Sequence, residues 1–209
     1  MTCRRGLGAR WLAFALGRSG DTDRRLYGSR KRALLSELGP VVVEIGAGVG
    51  VNAEYFDAGT RWRVVEPNGF MHDGLTRAAG AHGLALDLVS GSADALPFPD
   101  ASADAVVSTL VLCSVSDPGA ALAEVRRVLR PGGRFVFVEH VGAPEGSWRR
   151  RLQRAFRAPW GVIADGCRPD RDTEVLIRAA GFADVTVERF RLPLGLVAPH
   201  IAGVCVKAA

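Results

Sequence analysis

Between residues 37 and 140 the sequence alternates short runs rich in β-branched residues with helical patterns. This alternation is typical of a parallel sheet whose strands are joined by crossover helices. Asp117 and Pro118 mark the start of one such helix, as N-cap and first helical residue, and we expect it to end at the Pro-Gly-Gly of residues 131–133. The pattern therefore predicts an α/β fold, with strands over residues 41–45, 62–66, 84–89, 105–108 and 135–139.

After residue 140 this alternation stops. Residues 142–170 contain two helix-like stretches, interrupted by prolines and glycines, before any new strand. We expect a helical lid or substrate-binding insertion there. A helix predicted over residues 172–180 ends at Gly181, and two further β-rich runs cover residues 183–190 and 201–207.

The composition is that of a globular protein. The 209 residues are 48% hydrophobic, which is enough for one domain with a sizeable core. The net charge of +5 is scattered along the chain, which excludes a disordered polyelectrolyte. Arginine outnumbers lysine by 25 to 2, a bias that indicates a GC-rich bacterial genome rather than binding to nucleic acid. No apolar run approaches the ~18 residues of a membrane span.

The four cysteines, Cys3, Cys113, Cys167 and Cys205, lie far apart and form no C-x-x-C pair. We therefore expect neither a metal site nor a disulfide framework. The expected location is a reducing cytoplasm.

The stretch VVVEIGAGVG, residues 41–50, carries a predicted strand into glycines at positions 46, 48 and 50. Without Cβ atoms the backbone can turn sharply and let a ligand approach the N–H groups that open the next helix. The spacing is G-x-G-x-G rather than the G-x-G-x-x-G of dinucleotide folds. Taken alone, it is also compatible with a tight turn that binds nothing.

Two acids strengthen the ligand interpretation. Glu66 ends the second predicted strand, 20 residues after Gly46, where a carboxylate can accept both hydroxyls of a ribose. Asp94 follows the third strand and could accept from an adenine amino group. The alternatives are an ordinary solvated acid for Glu66 and an Asx-turn for Asp94.

Four motifs in this order, VVVEIGAGVG, VVEP, GSADALPFPDASADAVV and EVRRVLRPGG, resemble the class I S-adenosylmethionine-dependent methyltransferases across residues 38–140. The resemblance implies a Rossmann-like sheet of seven strands, the last two forming an antiparallel hairpin, with helices on both faces. It divides the chain into an N-terminal helical cap (1–36), a cofactor-binding half (37–140), a helical lid insertion (141–181) and the strand hairpin (182–209).

The same resemblance implies S-adenosyl-L-methionine as cofactor. Residues 46–48 would approach its methionine part, Glu66 its ribose, and residues 93–94 its adenine, while Glu44 would orient the amino group directly or through water. The full implied set is Glu44, Gly46, Ala47, Gly48, Glu66, Pro67, Ala93, Asp94, Thr109 and Leu110.

Within this superfamily the segments TLVLCSV, EHV, APEGSW, DGC and PHIAG resemble the membrane-associated thiol S-methyltransferases of animals. This resemblance implies a small thiol as methyl acceptor. The implied acceptor pocket contains Tyr27, Cys113, Trp148, Trp160 and His200.

A thiol acceptor needs little acid–base help, because with a pKa of ~8.5 it is already a few per cent thiolate at pH 7. His140 ends the fifth strand, where ligands of open α/β sheets bind, and is the first candidate for a base. Holding the lid by hydrogen bonds is its alternative role. Asp165 and His200 follow as candidates, and we expect Cys113 and Cys167 to be pocket or core residues rather than nucleophiles.

Two amphipathic stretches raise the question of membranes. Leu7, Trp11 and Phe14 share one face of a predicted N-terminal helix, which favours packing on the domain, with weak association with a membrane surface as the alternative. In residues 148–157 an apolar stripe is flanked by arginines, and we expect that stripe to pack on the core.

Three hypotheses follow. The first is methyl transfer to a small thiol or hydrogen sulfide, and the second is N- or O-methylation of a secondary metabolite or phospholipid head group. The third is a binding protein with a methyltransferase fold and no activity, which the complete cofactor motif disfavours. A nucleic-acid substrate is disfavoured because the chain has no Asn-Pro-Pro-aromatic tetrapeptide and no RNA-binding appendage.

Overall fold

The computed structural model describes residues 7–18, 20–164 and 166–209, and its centre is a mixed sheet. The strands are β1 (Val41–Ile45), β2 (Arg61–Val65), β3 (Ala85–Val89), β4 (Ala103–Thr109), β5 (Leu129–His140), β6 (Asp184–Arg191) and β7 (Pro199–Val206). Their order in the sheet is β3-β2-β1-β4-β5-β7-β6. The first five strands pair in parallel, and β7 is antiparallel to both β5 and β6. The predicted Rossmann-like sheet is confirmed.

Helices cover both faces of this sheet. They are α1 (Leu7–Leu16), α2 (Gly20–Leu35), α3 (His72–His82), α4 (Pro118–Val128), α5 (Trp148–Ala155), α6 (Arg157–Ile163) and α7 (Thr173–Ala179). One core cluster joins α4 and α7 to residues such as Val43 of β1. A second cluster joins α2 and α3 to the neighbouring Val42, whose side chain points to the opposite face.

The start of α4 agrees with the prediction, but its end does not. Asp117 caps the helix by accepting from the N–H of Ala120 at 2.9 Å. The helix ends at Val128, and β5 begins at once, so the Pro-Gly-Gly of residues 131–133 lies within a strand. A register shift between β4 and β5 accommodates these residues, and Gly132 adopts a positive φ of 74°.

The prediction that the apolar stripe of α5 packs on the core is wrong. Trp148 and Phe156 are 63% and 53% exposed, whereas Gln153 is fully buried. Gln153 accepts from the N–H of Ala143 at 2.7 Å and donates to the carbonyl of Leu196 at 3.0 Å. Burying Gln153 satisfies two backbone groups of the adjoining loops, and this requirement orients the helix.

Helix α1 packs on the domain, as the first interpretation proposed. The side-chain amide of Asn68 donates to the carbonyl of Ala9 at 2.9 Å. The faces are not those expected, because Trp11 and Phe14 are exposed while Leu12 and Leu16 point toward a cavity. Among the described residues, none of the helices is long and apolar enough to cross a bilayer.

Candidate active site

A cavity of about 630 Å³ lies at the carboxyl ends of the parallel strands. Open α/β sheets bind ligands at this edge, because the loops that follow neighbouring strands meet there. One end of the cavity is lined by the glycine loop after β1 and the turns after β2 and β3. The other end is lined by Cys113, His140, Trp160 and Cys167. We call these the cofactor end and the acceptor end.

The glycine loop has the conformation that its sequence predicts. Gly46 and Gly48 have φ values of 60° and 59°, which residues other than glycine rarely adopt. A Cβ on Gly46 would lie 2.8 Å from the side chain of Val111. The backbone therefore approaches its neighbours at a distance that only glycine permits.

Glu66 fixes this loop and lines the cavity. One carboxylate oxygen accepts from the N–H of Gly48 at 2.9 Å, and the other accepts from the N–H of Asn68 at 2.8 Å. These two bonds hold the carboxylate at the cofactor end of the cavity, beside the glycine loop. This geometry is compatible with the predicted contact to a ribose.

Glu44 does not reach the cavity, so the direct contact implied by the resemblance is not supported. Its two oxygens accept from the amide of Asn52 at 2.7 Å and from the indole of Trp62 at 2.8 Å. The same amide of Asn52 also donates to Thr109, a cavity residue, at 2.9 Å. Burial raises the pKa of Glu44 to about 7, against the effect of these hydrogen bonds. Glu44 therefore acts on the cavity through Asn52.

The other residues implied for the cofactor divide into two groups. Ala47, Pro67, Ala93, Thr109 and Leu110 line the cavity. Asp94 is partly buried beside the cavity but does not line it, and the small residues 90–93 form that part of the wall. Leu110 adopts a positive φ of 59°, an unusual conformation for a branched residue that often marks functional sites. A wall of small residues beside Glu66 suits the flat adenine ring of an adenosyl group.

At the acceptor end, Cys113, His140 and Cys167 are all buried and lie together. Nε2 of His140 is 2.9 Å from Sγ of Cys167, and the indole N–H of Trp160 donates to the same sulfur at 3.2 Å. The hydrogen bond from the Cys113 thiol, and then the bond to His140, lower the pKa of Cys167 against the opposing effect of burial. The same thiol–thiol hydrogen bond and burial raise the pKa of Cys113.

The remaining predicted acceptor residues lie elsewhere. Tyr27 and His200 are buried next to the cavity wall, where the hydroxyl of Tyr27 is 3.0 Å from Nε2 of His200. Burial lowers the pKa of His200 to about 4, so the ring is neutral. Its Nε2 can accept a hydrogen bond from the Tyr27 hydroxyl while Nδ1–H donates to the carbonyl of Ala198. Trp148 is on the exposed face of α5. Asp165 lies outside the described residues.

One polar pair on the cavity wall is absent from the predicted site residues. Lys31, on α2, is 2% exposed, and its ammonium group donates to both carboxylate oxygens of Asp23, at 2.7 and 2.8 Å. Both side chains line the cavity. Buried lysines are rare unless paired, and Lys31 is one of two lysines in an arginine-rich chain. That exception was the signal available in the sequence.

Comparison with known proteins gives a consistent result. Residues 43–137 match a family model described as a methyltransferase domain. The human thiol S-methyltransferase TMT1B is 40% identical over 192 residues, which cover 86% of this chain and 79% of that protein. The human thiol S-methyltransferase TMT1A is 34% identical over 95% of this chain and 86% of its own length.

A further sequence match and a solved structure extend the comparison. The demethylmenaquinone methyltransferase of Renibacterium salmoninarum is 32% identical over 82% of this chain and 79% of its own length. Among solved structures, an S-adenosylmethionine-dependent methyltransferase from Thermotoga maritima, described as a possible histamine N-methyltransferase, superposes with a TM-score of 0.69. It is 22% identical, and the match covers 96% of this chain and 98% of that one.

Proposed function

The chain belongs to the class I S-adenosylmethionine-dependent methyltransferases, and we propose that it transfers the methyl group to the sulfur of a small thiol. The observation that carries this proposal is the acceptor end of the cavity, where Cys113, His140 and Cys167 lie together beside the indole of Trp160. The 40% identity to a thiol S-methyltransferase supports the same acceptor class.

S-adenosylmethionine, when bound, supplies an electrophilic methyl group on a sulfonium. The chain's part is mainly to position the acceptor sulfur in line with that methyl group and to exclude water, which supply much of the rate enhancement. Glu66 and the glycine loop would bind the cofactor at the cofactor end. Leu12 of α1 and Trp160 of α6 cover the cavity.

We assign His140 the role of taking the proton of the arriving thiol. It lines the cavity at the carboxyl end of β5, and its Nε2 lies 2.9 Å from Sγ of Cys167. Asp165 remains the second proposed proton acceptor. A strong base is not needed, because thiolate is present at neutral pH and is intrinsically nucleophilic.

A second candidate acceptor is an isoprenoid quinone, since a demethylmenaquinone methyltransferase is 32% identical over most of the chain. The cofactor end would serve either reaction. The two candidates therefore differ only in what the acceptor end accommodates.

The deciding experiment supplies the protein with methyl-labelled cofactor and a panel of acceptors. The panel contains an alkyl thiol, hydrogen sulfide, demethylmenaquinone, phosphoethanolamine, a phenol and an amine. We expect label in the thiol or sulfide products, at a rate that rises with pH as the thiolate fraction grows. A quinone, phenol or amine that is labelled faster than every thiol would overturn the thiol assignment.

We further propose a cytoplasmic protein whose α1 associates weakly with membrane surfaces. Trp11 and Phe14 of this helix are 61% and 60% exposed, with the guanidinium of Arg18 stacked on the Phe14 ring at 3.8 Å. Aromatic residues beside arginine suit an anionic lipid surface. Co-sedimentation with anionic vesicles should occur and should weaken in Trp11→Ala, and no binding at low salt would contradict it.

A further inference from the structure

We propose that Cys113, His140 and Cys167 bind one zinc ion, with an open fourth position that receives the thiolate of the methyl acceptor. The ligand atoms are the two Sγ atoms and one imidazole nitrogen, and all three lie within 4.8 Å of one another. Zinc prefers this ligand set, and three protein ligands with one open position are typical of catalytic zinc sites.

To bind zinc, the three ligand atoms would have to change their separations by roughly 1 Å or less. Tetrahedral zinc, at about 2.3 Å from sulfur and 2.0–2.1 Å from nitrogen, separates its ligand atoms by roughly 3.5–3.8 Å. The pair formed by Nε2 of His140 and Sγ of Cys167, now 2.9 Å apart, would have to open by several tenths of an ångström.

The three ligands come from separate elements that hydrogen bonds hold together. Cys113 lies in the turn after β4, His140 is the last residue of β5, and Cys167 follows α6. The N–H of Arg168 donates to the carbonyl of Cys113 at 3.0 Å, which ties the loop of Cys167 to the turn of Cys113. The site is therefore assembled before an ion binds.

The surroundings suit thiolate ligands. The indole N–H of Trp160 donates to Sγ of Cys167, the kind of outer contact that orients a ligand sulfur. The buried guanidinium of Arg171 donates to the carbonyl of Val115 at 2.8 Å, and its charge would attract both cysteines as thiolates. Two thiolates neutralise Zn²⁺, so the cation of Arg171 can balance the charge of a further thiolate.

All three ligand residues line the same cavity as Gly46, Gly48 and Glu66. An ion there, with its open fourth position, would therefore share one cavity with the cofactor end. Among the described residues, no fourth His, Cys, Asp or Glu joins this group, so the protein leaves the fourth position open. The described part of the chain contains no other group of this kind.

The chemical step rests on the proposed function. The acceptor thiol releases its proton to water as its sulfur binds zinc, because a coordinated thiol is deprotonated outright. A lone pair on that sulfur forms the new bond to the methyl carbon, while the methyl–sulfonium bond breaks and its electron pair remains on the departing sulfur. The neutral thioether is a weak ligand and leaves. In this zinc-bound form His140 is a ligand and no longer takes the proton.

The test uses the full-length protein, purified without a polyhistidine tag, with Cys3→Ser in every variant. Zinc is measured per chain by mass spectrometry after equilibration with zinc and gel filtration. The absorption of the cobalt-loaded protein is then recorded with and without an alkyl thiol. The variants are Cys113→Ser and Cys167→Ser, and the matched control is Cys205→Ser, a buried cysteine of β7 outside the cluster.

We expect about one zinc per chain in the parent and in Cys205→Ser, and affinity lower by roughly two orders of magnitude in the two cluster variants. Cobalt should give a thiolate charge-transfer band that the alkyl thiol changes. Because a cluster variant could fail to fold, alkylation of the parent protein provides a second measurement, in which zinc should protect two cysteines.

The proposed zinc site would be refuted if the parent bound no zinc, if zinc did not protect its cysteines from alkylation, or if all three variants bound equal amounts of zinc. Zinc binding with an acceptor other than a thiol would leave the site and refute the proposed function. Undiminished thiol methylation after zinc removal would refute the thiolate-ligand step and leave the proposed function intact.

Discussion

The two ends of the cavity are built in different ways. The cofactor end consists of backbone groups and small residues in loops that directly follow β1, β2 and β3, with Glu66 accepting two backbone N–H groups. The acceptor end consists of side chains from distant parts of the sequence. His140 and Cys167, whose side chains lie 2.9 Å apart, are separated by 27 residues along the chain. A site made from backbone is determined by local sequence, whereas a site made from distant side chains depends on how the helices pack.

The largest expected effect concerns the support of the cofactor end. The pKa of Glu44 is raised from 4.5 to about 7, so between these values the folded protein holds a proton that the unfolded chain has released. Stability from this group is therefore fully present below pH 4.5 and lost as the pH rises through 7, by about 3 kcal/mol.

Chemical denaturation of the parent protein and of Glu44→Gln between pH 4.5 and 8 measures this effect. The free energy of unfolding of the parent should fall with pH relative to the variant. Parallel curves for the parent and the variant would show that burial does not raise the pKa of Glu44 in the folded protein.

A second prediction separates the two ends by affinity. Glu66→Ala removes a charged acceptor from the cofactor end, and we expect the affinity for S-adenosylhomocysteine to fall about 30-fold, or about 2 kcal/mol. The matched control is Asp73→Ala, an exposed acid in the first turn of α3. Calorimetry that finds equal affinities for both variants would remove Glu66 from the cofactor end.

The sequence predicted the cofactor end well because its information is local. The order of strands and glycines predicted the sheet and the positions of Gly46, Gly48 and Glu66. It did not predict that Glu44 is buried against Asn52 and Trp62, since a motif gives the position of a residue but not the direction of its side chain.

The acceptor end was predicted only in part. Cysteine spacing gave no indication that Cys113 and Cys167 meet, because metal motifs are recognised by short spacings. The apolar stripe of α5 was misleading. Two backbone groups, the N–H of Ala143 and the carbonyl of Leu196, need hydrogen-bond partners, and this need favoured the burial of Gln153 over that of Trp148. Only the fold determines such a choice.

A third prediction tests whether α5 buries its polar Gln153 rather than its apolar stripe. Gln153→Ala leaves the N–H of Ala143 and the carbonyl of Leu196 without partners and should cost about 1–3 kcal/mol of folding stability. Leu152→Ala, one residue earlier on the exposed side, should cost less than about 1 kcal/mol. Thermal unfolding of the two variants compares them, and a larger loss for Leu152→Ala would restore the original prediction.

The smallest expected effect concerns the wall that α1 contributes. Leu12→Ala removes apolar contact from the cavity wall and should weaken cofactor affinity about threefold, from roughly 0.6 kcal/mol of lost burial. Trp11→Ala, on the exposed side of the same helix, should leave the affinity unchanged. A loss in Trp11→Ala alone would mean that the helix is rotated relative to the described structure.

The central claim is that one cavity joins a cofactor end to an independent acceptor end specific for thiols. Cys167→Ser tests it most directly when cofactor affinity and thiol methylation are measured on the same preparation. We predict that the affinity for S-adenosylhomocysteine stays within about twofold while kcat/KM for the thiol falls by about tenfold or more. Unchanged thiol methylation, or equal losses in affinity and in kcat/KM, would contradict the claim.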